Sequence, residues 1–261
     1  MPEGDSIYRA ARLLEHRLVG EEVISVNGSH RAVAGYGRRL VGRTVDRIEN
    51  RGKHLLIHFS GDWTARCHLK MTGSWNVYRP GQAWTKEEGA ARFVLTTPDS
   101  VAVCFAAPDV DIKPTPVIED QIAHLGPDLT ADEFDVEEAL RRVEASKAAT
   151  VSDLLLDQSV MAGVGNVFKS EIAFLLGLNP AGDPSLLTSA DRAAIVEEAR
   201  RLLMVNRELP RRVTTGDRRR PYYVYGRNRQ GCRRCRSRIR SGNVGDPPRV
   251  TYWCPTCQGT P

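Results

Sequence analysis

An α+β fold is what this sequence predicts, on three observations. Helical spacing opens the chain, and a run of short strands without intervening helices follows it. Helical spacing then returns, and two Cys-x2-Cys pairs close the sequence. Assembled, these give an N-terminal helix with an antiparallel β-sandwich, then a helical domain, then a C-terminal zinc-finger β-hairpin.

The first element rests on Ile7, Ala10, Ala11, Leu14 and Leu18, which recur at helical spacing behind Asp5 or Ser6, either of which can cap a helix. Gly20 ends it. From residue 22 to 106 the pattern changes to β-rich runs: Thr44–Ile48, His54–Phe59, Thr64–Leu69, Ser74–Tyr78, Phe93–Thr96 and Val101–Phe105. Glycine, proline and polar turns separate them, the mark of an antiparallel sandwich or barrel. Cys67 and Cys104 fall inside strands and read as buried packing residues. Residues 108–135 are rich in Pro and Asp and read as a linker. Helical spacing then resumes over 136–145, 150–159, 167–176 and 189–206. Thr188 or Ser189 caps the last of these, which has Ile195, Val196, Ala199, Leu202 and Leu203 on its apolar face. Between the second and third lies a glycine-containing turn, Gly163-Val164-Gly165, with Asn166 positioned to cap the third helix. The backbone N–H groups of such a helix start can bind a phosphate. The predicted division is therefore 1–118 for the sandwich domain, 119–135 for a linker, 136–220 for the helical domain and 221–261 for the four-cysteine finger.

Composition sets the function class. At 41% hydrophobic residues, 261 residues can bury a real core, and no apolar run approaches the ~20 residues of a membrane span. Glu3, Asp5, Arg9, Arg12 and Glu15 break up the first twenty residues, which excludes a secretory signal and predicts a cytoplasmic protein. Net charge is +5, and its distribution is more telling than its size. Between Arg211 and Arg240 twelve arginines stand against a single acid, Asp217, with Tyr222, Tyr223 and Tyr225 interleaved. A block of that sign suits a polyanion, and nucleic acid foremost.

Cys232 and Cys235, an 18-residue gap, then Cys254 and Cys257 form a zinc signature. Four thiolates close a tetrahedron and leave no open position, so the Zn²⁺ is structural. A tail this small cannot fold on its own core, and the metal supplies its folding free energy. Turn residues Gly242, Asn243, Gly245, Pro247 and Pro248 inside the gap predict a hairpin flanked by Arg236, Arg238, Arg240 and Arg249, side chains able to clamp phosphate.

At the other end stands Met1-Pro2-Glu3. Removal of the methionine would turn the Pro2 nitrogen from an inert amide into a secondary amine. An α-amino group titrates near ~8 against ~10.4 for lysine, so it is free base far more often at neutral pH and can attack a carbonyl carbon. Glu3 and Asp5 offer carboxylates beside it for proton transfer.

In order along the chain, Met1-Pro2-Glu3-Gly4, Arg51-Gly52-Lys53-His54, His68-Leu69-Lys70-Met71-Thr72-Gly73, Gly163-Val164-Gly165-Asn166 and the four-cysteine finger resemble the formamidopyrimidine-DNA glycosylase and endonuclease VIII family of DNA repair enzymes. The resemblance runs over essentially the whole length, and Pro-Glu-Gly at the start looks more like the endonuclease VIII branch. It implies a base excision repair glycosylase with abasic-site lyase activity, whose helical part is a helix–two-turn–helix. Pro2 would attack C1′ and form a Schiff base, opening the way to β- and δ-elimination. Glu3 would move protons around C1′ and the ring oxygen, and Lys53 would hold a phosphate beside the lesion. Asn166 and Arg249 would grip the flanking phosphates, and His68 would add a further phosphate contact. Met71 would fill the gap left by the flipped nucleotide. The partner implied is damaged DNA, bound by a monomer associated with the nucleoid. Two departures matter: Asp5-Ser6 stands where the family commonly has Pro-Glu, and no Arg-x-Phe occurs near residues 101–112. The second favours oxidised pyrimidines as substrate. The first leaves open an abasic-site lyase with little glycosylase activity, and a non-catalytic zinc-finger DNA-binding protein is a further alternative.

Overall fold

Helix α1 (Gly4–Leu18) begins at Glu3, not at Asp5 or Ser6 as the spacing suggested. Glu3 has extended backbone, and the Ser6 hydroxyl accepts its N–H at 2.9 Å, satisfying a donor that the helix start would otherwise orphan. Asp5, one residue into the helix, is buried and pairs with Arg9 across one turn at 3.4 Å. Ile7, Ala11, Leu14 and Leu18 line the buried face of α1. In the computed structural model, which describes residues 1–260, the chain forms two compact units, Met1–His124 and Leu125–Pro261.

The first unit is a sandwich of two four-stranded antiparallel sheets. One has the order β1 (Ser25–Asn27), β6 (Ala91–Thr96), β7 (Val101–Phe105) and β5 (Ser74–Tyr78). The other runs β2 (Val45–Arg51), β3 (His54–Phe59), β4 (Trp63–His68) and β8 (Asp109–Pro114). Inward side chains alternate along each strand, so Leu55, Ile57, Ala65, Cys67, Val110 and Ile112 share one core with Trp75, Phe93, Leu95, Ala102 and Cys104. All six strands expected from the sequence are present. The three-residue β1 and helix α2 (Arg31–Tyr36) are additions the spacing did not reveal.

The first part of the Pro- and Asp-rich stretch is not a linker. Residues 109–114 form β8, because Val110 and Ile112 alternate into the core between acids that face outward. Pro114 stands at the end of an edge strand, where a missing N–H costs no ladder bond, and it caps α3 (Thr115–Ile122). Ile118 and Ile122 bury the inner side of that helix.

The second unit contains α4 (Val136–Ala145), α5 (Val151–Leu156), α6 (Asn166–Leu175) and α7 (Ser189–Arg207), then hairpin β9 (Arg240–Val244) with β10 (Arg249–Trp253), and a closing turn α8 (Pro255–Gln258). Asp135, Thr150 and Thr188 cap α4, α5 and α7 through their side chains. Phe168, Ile172, Leu154, Leu155, Ile195 and Leu203 make the helical core. A smaller cluster of Phe174, Val224, Cys232, Ile239 and Cys254 joins α6 to the finger.

Candidate functional site

Two groups of predicted residues assemble, one in each unit. In the first, a two-residue hairpin joins β2 to β3, with Arg51 paired to His54. Gly52 occupies the first turn position at φ +57°, a conformation that favours glycine in hairpin turns of this length. Lys53 is thereby held at the hairpin tip. His54 lies directly opposite His68 across β3 and β4, with ring centroids 4.9 Å apart. The turn after β4 is equally constrained. The Lys70 N–H donates to His68 Nδ1 at 3.2 Å, and the Gly73 N–H donates to the Leu69 carbonyl at 2.9 Å. A β-carbon at Gly73 would meet that carbonyl at 2.6 Å, so only glycine closes this loop. Met71 stands at its tip, 65% exposed.

The electrostatics of this corner are cationic. Burial, then the charges of Lys70 and Lys53, push His68 down to about 4. Burial, then His68 and Arg66, push His54 down to about 3. Both imidazoles are thus neutral at physiological pH. With Nδ1 of His68 accepting from the backbone, its Nε2 carries the proton and can donate outward. Pro2 is half-buried ahead of α1, and Glu3 is fully buried.

In the second unit Gly165, with extended backbone, is the N-cap of α6, and Asn166 is the first helical residue instead of the cap. Its side chain does something else: Nδ2 donates to the Val250 carbonyl at 2.7 Å, tying the helix start to β10 beside Arg249. Lys169 adds a second tie, donating from Nζ to Thr251 Oγ1 at 2.7 Å. Arg249 is exposed, and its guanidinium makes no hydrogen bond or ion pair among the described residues. Asn166 and Arg249 are therefore adjacent on one surface of this unit.

The four cysteines gather with their Sγ atoms within 4.8 Å of one another and could hold a metal ion. Cys232 and Cys257 are 4.0 Å apart, and Cys235 and Cys254 3.4 Å. Zinc–sulfur bonds of about 2.3 Å set tetrahedral sulfurs roughly 3.8 Å apart, between these two values. The donor set therefore fits a closed tetrahedral ion. Hydrogen bonds from Ser237 push Cys235 down to about 6, while burial, chiefly, pushes Cys254 and Cys257 up.

Sequence reasoning missed two residues and misjudged a third. His54 was passed over as part of a turn motif, although strand pairing puts it against His68. Ser6, expected as a possible cap and as a departure from the family pattern, instead sits three residues inside the helix start and accepts the Glu3 N–H. Glu171 was overlooked altogether, yet it is fully buried and accepts the N–H groups of Tyr223, Val224 and Tyr225 at 2.8, 2.9 and 2.8 Å, as well as the Thr214 hydroxyl. Its signal was present: a charged Lys169–Glu171 step inside an otherwise apolar helix.

Comparison with known proteins agrees with this arrangement. Residues 1–108 match the formamidopyrimidine-DNA glycosylase N-terminal domain, and residues 125–214 match the formamidopyrimidine-DNA glycosylase H2TH domain. The chain is 42% identical to a probable endonuclease 8 2 of Streptomyces coelicolor, an alignment spanning 100% of this chain and 95% of that protein. It is 36% identical to the DNA-(apurinic or apyrimidinic site) lyase Nei2 of Mycolicibacterium smegmatis, covering 99% of each. Among solved structures, an abasic-site DNA complex of Lactococcus lactis Fpg superposes with a TM-score of 0.83 at 22% identity, covering 98% of this chain and 99% of that one. The chain belongs to the formamidopyrimidine-DNA glycosylase and endonuclease VIII family of base excision repair glycosylase–lyases, on its endonuclease VIII side. No helix among the described residues is long and apolar enough to cross a membrane.

Proposed function

We propose that this enzyme removes oxidised pyrimidines from DNA and cleaves the resulting abasic site through a Schiff base at Pro2. Met1 must first be removed. The Pro2 nitrogen then attacks C1′ as the C1′–base bond breaks, and the departing base takes up a proton. Displacement leaves the Pro2 nitrogen and the ring oxygen O4′ both on C1′; the C1′–O4′ bond then breaks as O4′ takes up a proton, which opens the sugar and gives the iminium. The iminium acidifies the 2′ position, so loss of a proton there expels the 3′ phosphate, and a second elimination expels the 5′ phosphate. Glu3 is the group that carries these protons. The observation that supports this most directly is Glu3 itself, fully buried at the cap of α1 and next in the chain to the nucleophile.

In the same reading Lys53 holds a phosphate beside the lesion, with His68 donating from Nε2 to another. Asn166 and Arg249 grip the phosphates that flank it, and Met71 fills the gap left in the duplex. Contacts of this kind fix the strand without reading its sequence. Cys232, Cys235, Cys254 and Cys257 bind one structural Zn²⁺, whose chemistry is to fold the finger hairpin that carries Arg249. The functional division is a sandwich domain, a helical domain and a four-cysteine finger, in a cytoplasmic, nucleoid-associated monomer acting on damaged DNA.

Borohydride trapping on an abasic oligonucleotide, with intact-mass measurement of the protein, tests the core of this reading. A covalent adduct on the terminal peptide, abolished by Pro2→Gly or by retained Met1, is expected; protein lacking Met1 that gives no adduct would refute it. One observation favours a narrower activity. Ser6 supplies no carboxylate where the family commonly has one, and a relative 36% identical is named as an abasic-site lyase. Excision of thymine glycol compared with cleavage of a preformed abasic site separates the two: cleavage without excision establishes the lyase.

A further inference from the structure

The arginines between 211 and 240 are more numerous than the single finger contact of Arg249 calls for, and four of them converge on one cavity of about 290 Å³ in the second unit. Arg220, Arg227, Arg233 and Arg236 line it, against one carboxylate, that of Asp217. Asp217 is already engaged, accepting the Arg219 N–H at 2.8 Å within its own turn. Arg227 is also used internally. It donates to Gln230 Oε1 at 3.1 Å, to the Gly231 carbonyl at 2.8 Å and to the Tyr223 carbonyl, so it forms a fixed wall.

The other three differ. Arg233 is oriented by one bond, from Nε to the Tyr222 carbonyl at 3.0 Å, and its two terminal amino groups make no hydrogen bond or ion pair among the described residues. Arg220 and Arg236 make no side-chain hydrogen bond or ion pair among the described residues. Both walls are nevertheless braced. The Thr214 N–H donates to the Pro221 carbonyl at 2.8 Å and the Thr215 hydroxyl to the Arg220 carbonyl at 2.7 Å, closing the loop that carries Arg220. The Arg236 N–H donates to the Cys232 carbonyl at 3.1 Å, fixing the opposite side. Three guanidinium groups held near one another against the single carboxylate of Asp217 leave a net positive charge, and a multi-oxygen anion offsets their repulsion. Guanidinium forks match phosphate oxygens in pairs. The cavity has no base-sized platform: the ring of its only aromatic side chain, Tyr223, is stacked on Phe174 with centroids 5.3 Å apart. Charge without a stacking surface selects phosphate over nucleoside, and exposed Arg218 and Arg219 extend the same basic surface outward.

We propose that the cavity between the Thr214–Pro221 loop and the first cysteine pair is a second phosphate-binding site, gripped by Arg220, Arg233 and Arg236, and occupied by a backbone phosphodiester of the bound strand. The assignment rests on the DNA-binding reading above. Its test is fluorescence anisotropy on a duplex containing a tetrahydrofuran abasic analogue, over a series of salt concentrations, with Arg220→Gln, Arg236→Gln and the double variant. Zinc content and melting temperature verify that each variant is folded. In parallel, arginine side-chain NMR of the wild-type protein is titrated with inorganic phosphate. The double variant is expected to bind about tenfold more weakly at moderate salt, with a log K against log salt slope shallower by about one. An unchanged slope and affinity in folded variants overturn the proposal. Shifts of the Arg220 and Arg236 signals by inorganic phosphate, with DNA binding unaltered, overturn the strand assignment in favour of a free phosphate ligand. Wild-type protein that fails to bind the duplex at all refutes the DNA-binding reading instead, while the phosphate titration still reports on the cavity.

Discussion

The two ends of this chain are stabilised by different physics. The sandwich of the first unit rests on twenty-three mutually packed buried residues, whereas the cluster at the finger has five, two of them cysteines of the tetrad. Apolar area removed from water contributes about 25 cal/mol per Å² and needs no special geometry, so the sandwich can hold Lys53, His54 and His68 on ordinary strand pairing. The finger lacks that area. It depends on point attachments: the sulfur tetrahedron, the Lys169–Thr251 bond, and a buried carboxyl group gathering three consecutive backbone N–H groups. Catalytic chemistry is proposed only where the core is thick, and the thin finger is proposed to supply phosphate grip alone.

The contrast can be broken first at the metal. Cys254→Ser, or a strong chelator, should unfold the finger, forfeiting on the order of 10 kcal/mol of binding-linked folding free energy. Limited proteolysis should then cut within residues 221–260 while the sandwich keeps its protected amides; a sandwich that melts together with the finger would contradict the division of labour. Phe93→Ala, in the sandwich core, should cost about 3–5 kcal/mol by thermal or urea unfolding and leave zinc content unchanged. Glu171→Gln comes next, at about 1–3 kcal/mol, since an amide presents a donor to N–H groups that need an acceptor. Hydrogen exchange at Tyr223, Val224 and Tyr225 should accelerate in that variant, and equal protection would show that the carboxyl group is not the anchor. Acid should discriminate more gently. His54 and His68 have folded values of about 3 and about 4, below the ordinary 6.5, so the unfolded chain binds protons first. Stability contributed by keeping them neutral is complete above pH 6.5 and is lost as pH falls towards 4. His54→Gln should flatten that part of the unfolding curve relative to wild type. Smallest of all, Ser6→Ala should cost about 0.5–1 kcal/mol, by removing the acceptor for the Glu3 N–H.

Much of this was legible in the sequence, because period-two and helical spacing report burial directly. All six strands and the four main helices lie where their patterns indicated. The failures share a cause. Asp5, Ser6 and Asn166 each resemble a cap, but a side chain's type does not say which backbone atom it will reach. Glu3 holds the α1 position, and Asn166 reaches a carbonyl 84 residues further on. Likewise Pro and Asp made residues 109–122 look unstructured, although Val110, Ile112, Ile118 and Ile122 carried the burial pattern in between. Glu171 had a signal in the charged Lys169–Glu171 step of α6, but its role did not, because three of its four partners are main-chain N–H groups, which leave no trace in residue identity.

That carboxyl group also limits how the molecule could be rebuilt. A designer wishing to transplant the finger hairpin onto another scaffold would naturally cut ahead of Cys232 and keep the four cysteines. Such a graft would leave Tyr223, Val224 and Tyr225 with three aligned N–H groups and nothing to receive them, and the strap leading into the finger would lose its fixed register. The smallest transferable piece therefore begins inside helix α6, at a residue more than sixty positions before the first cysteine, and the finger of this enzyme is not a detachable module.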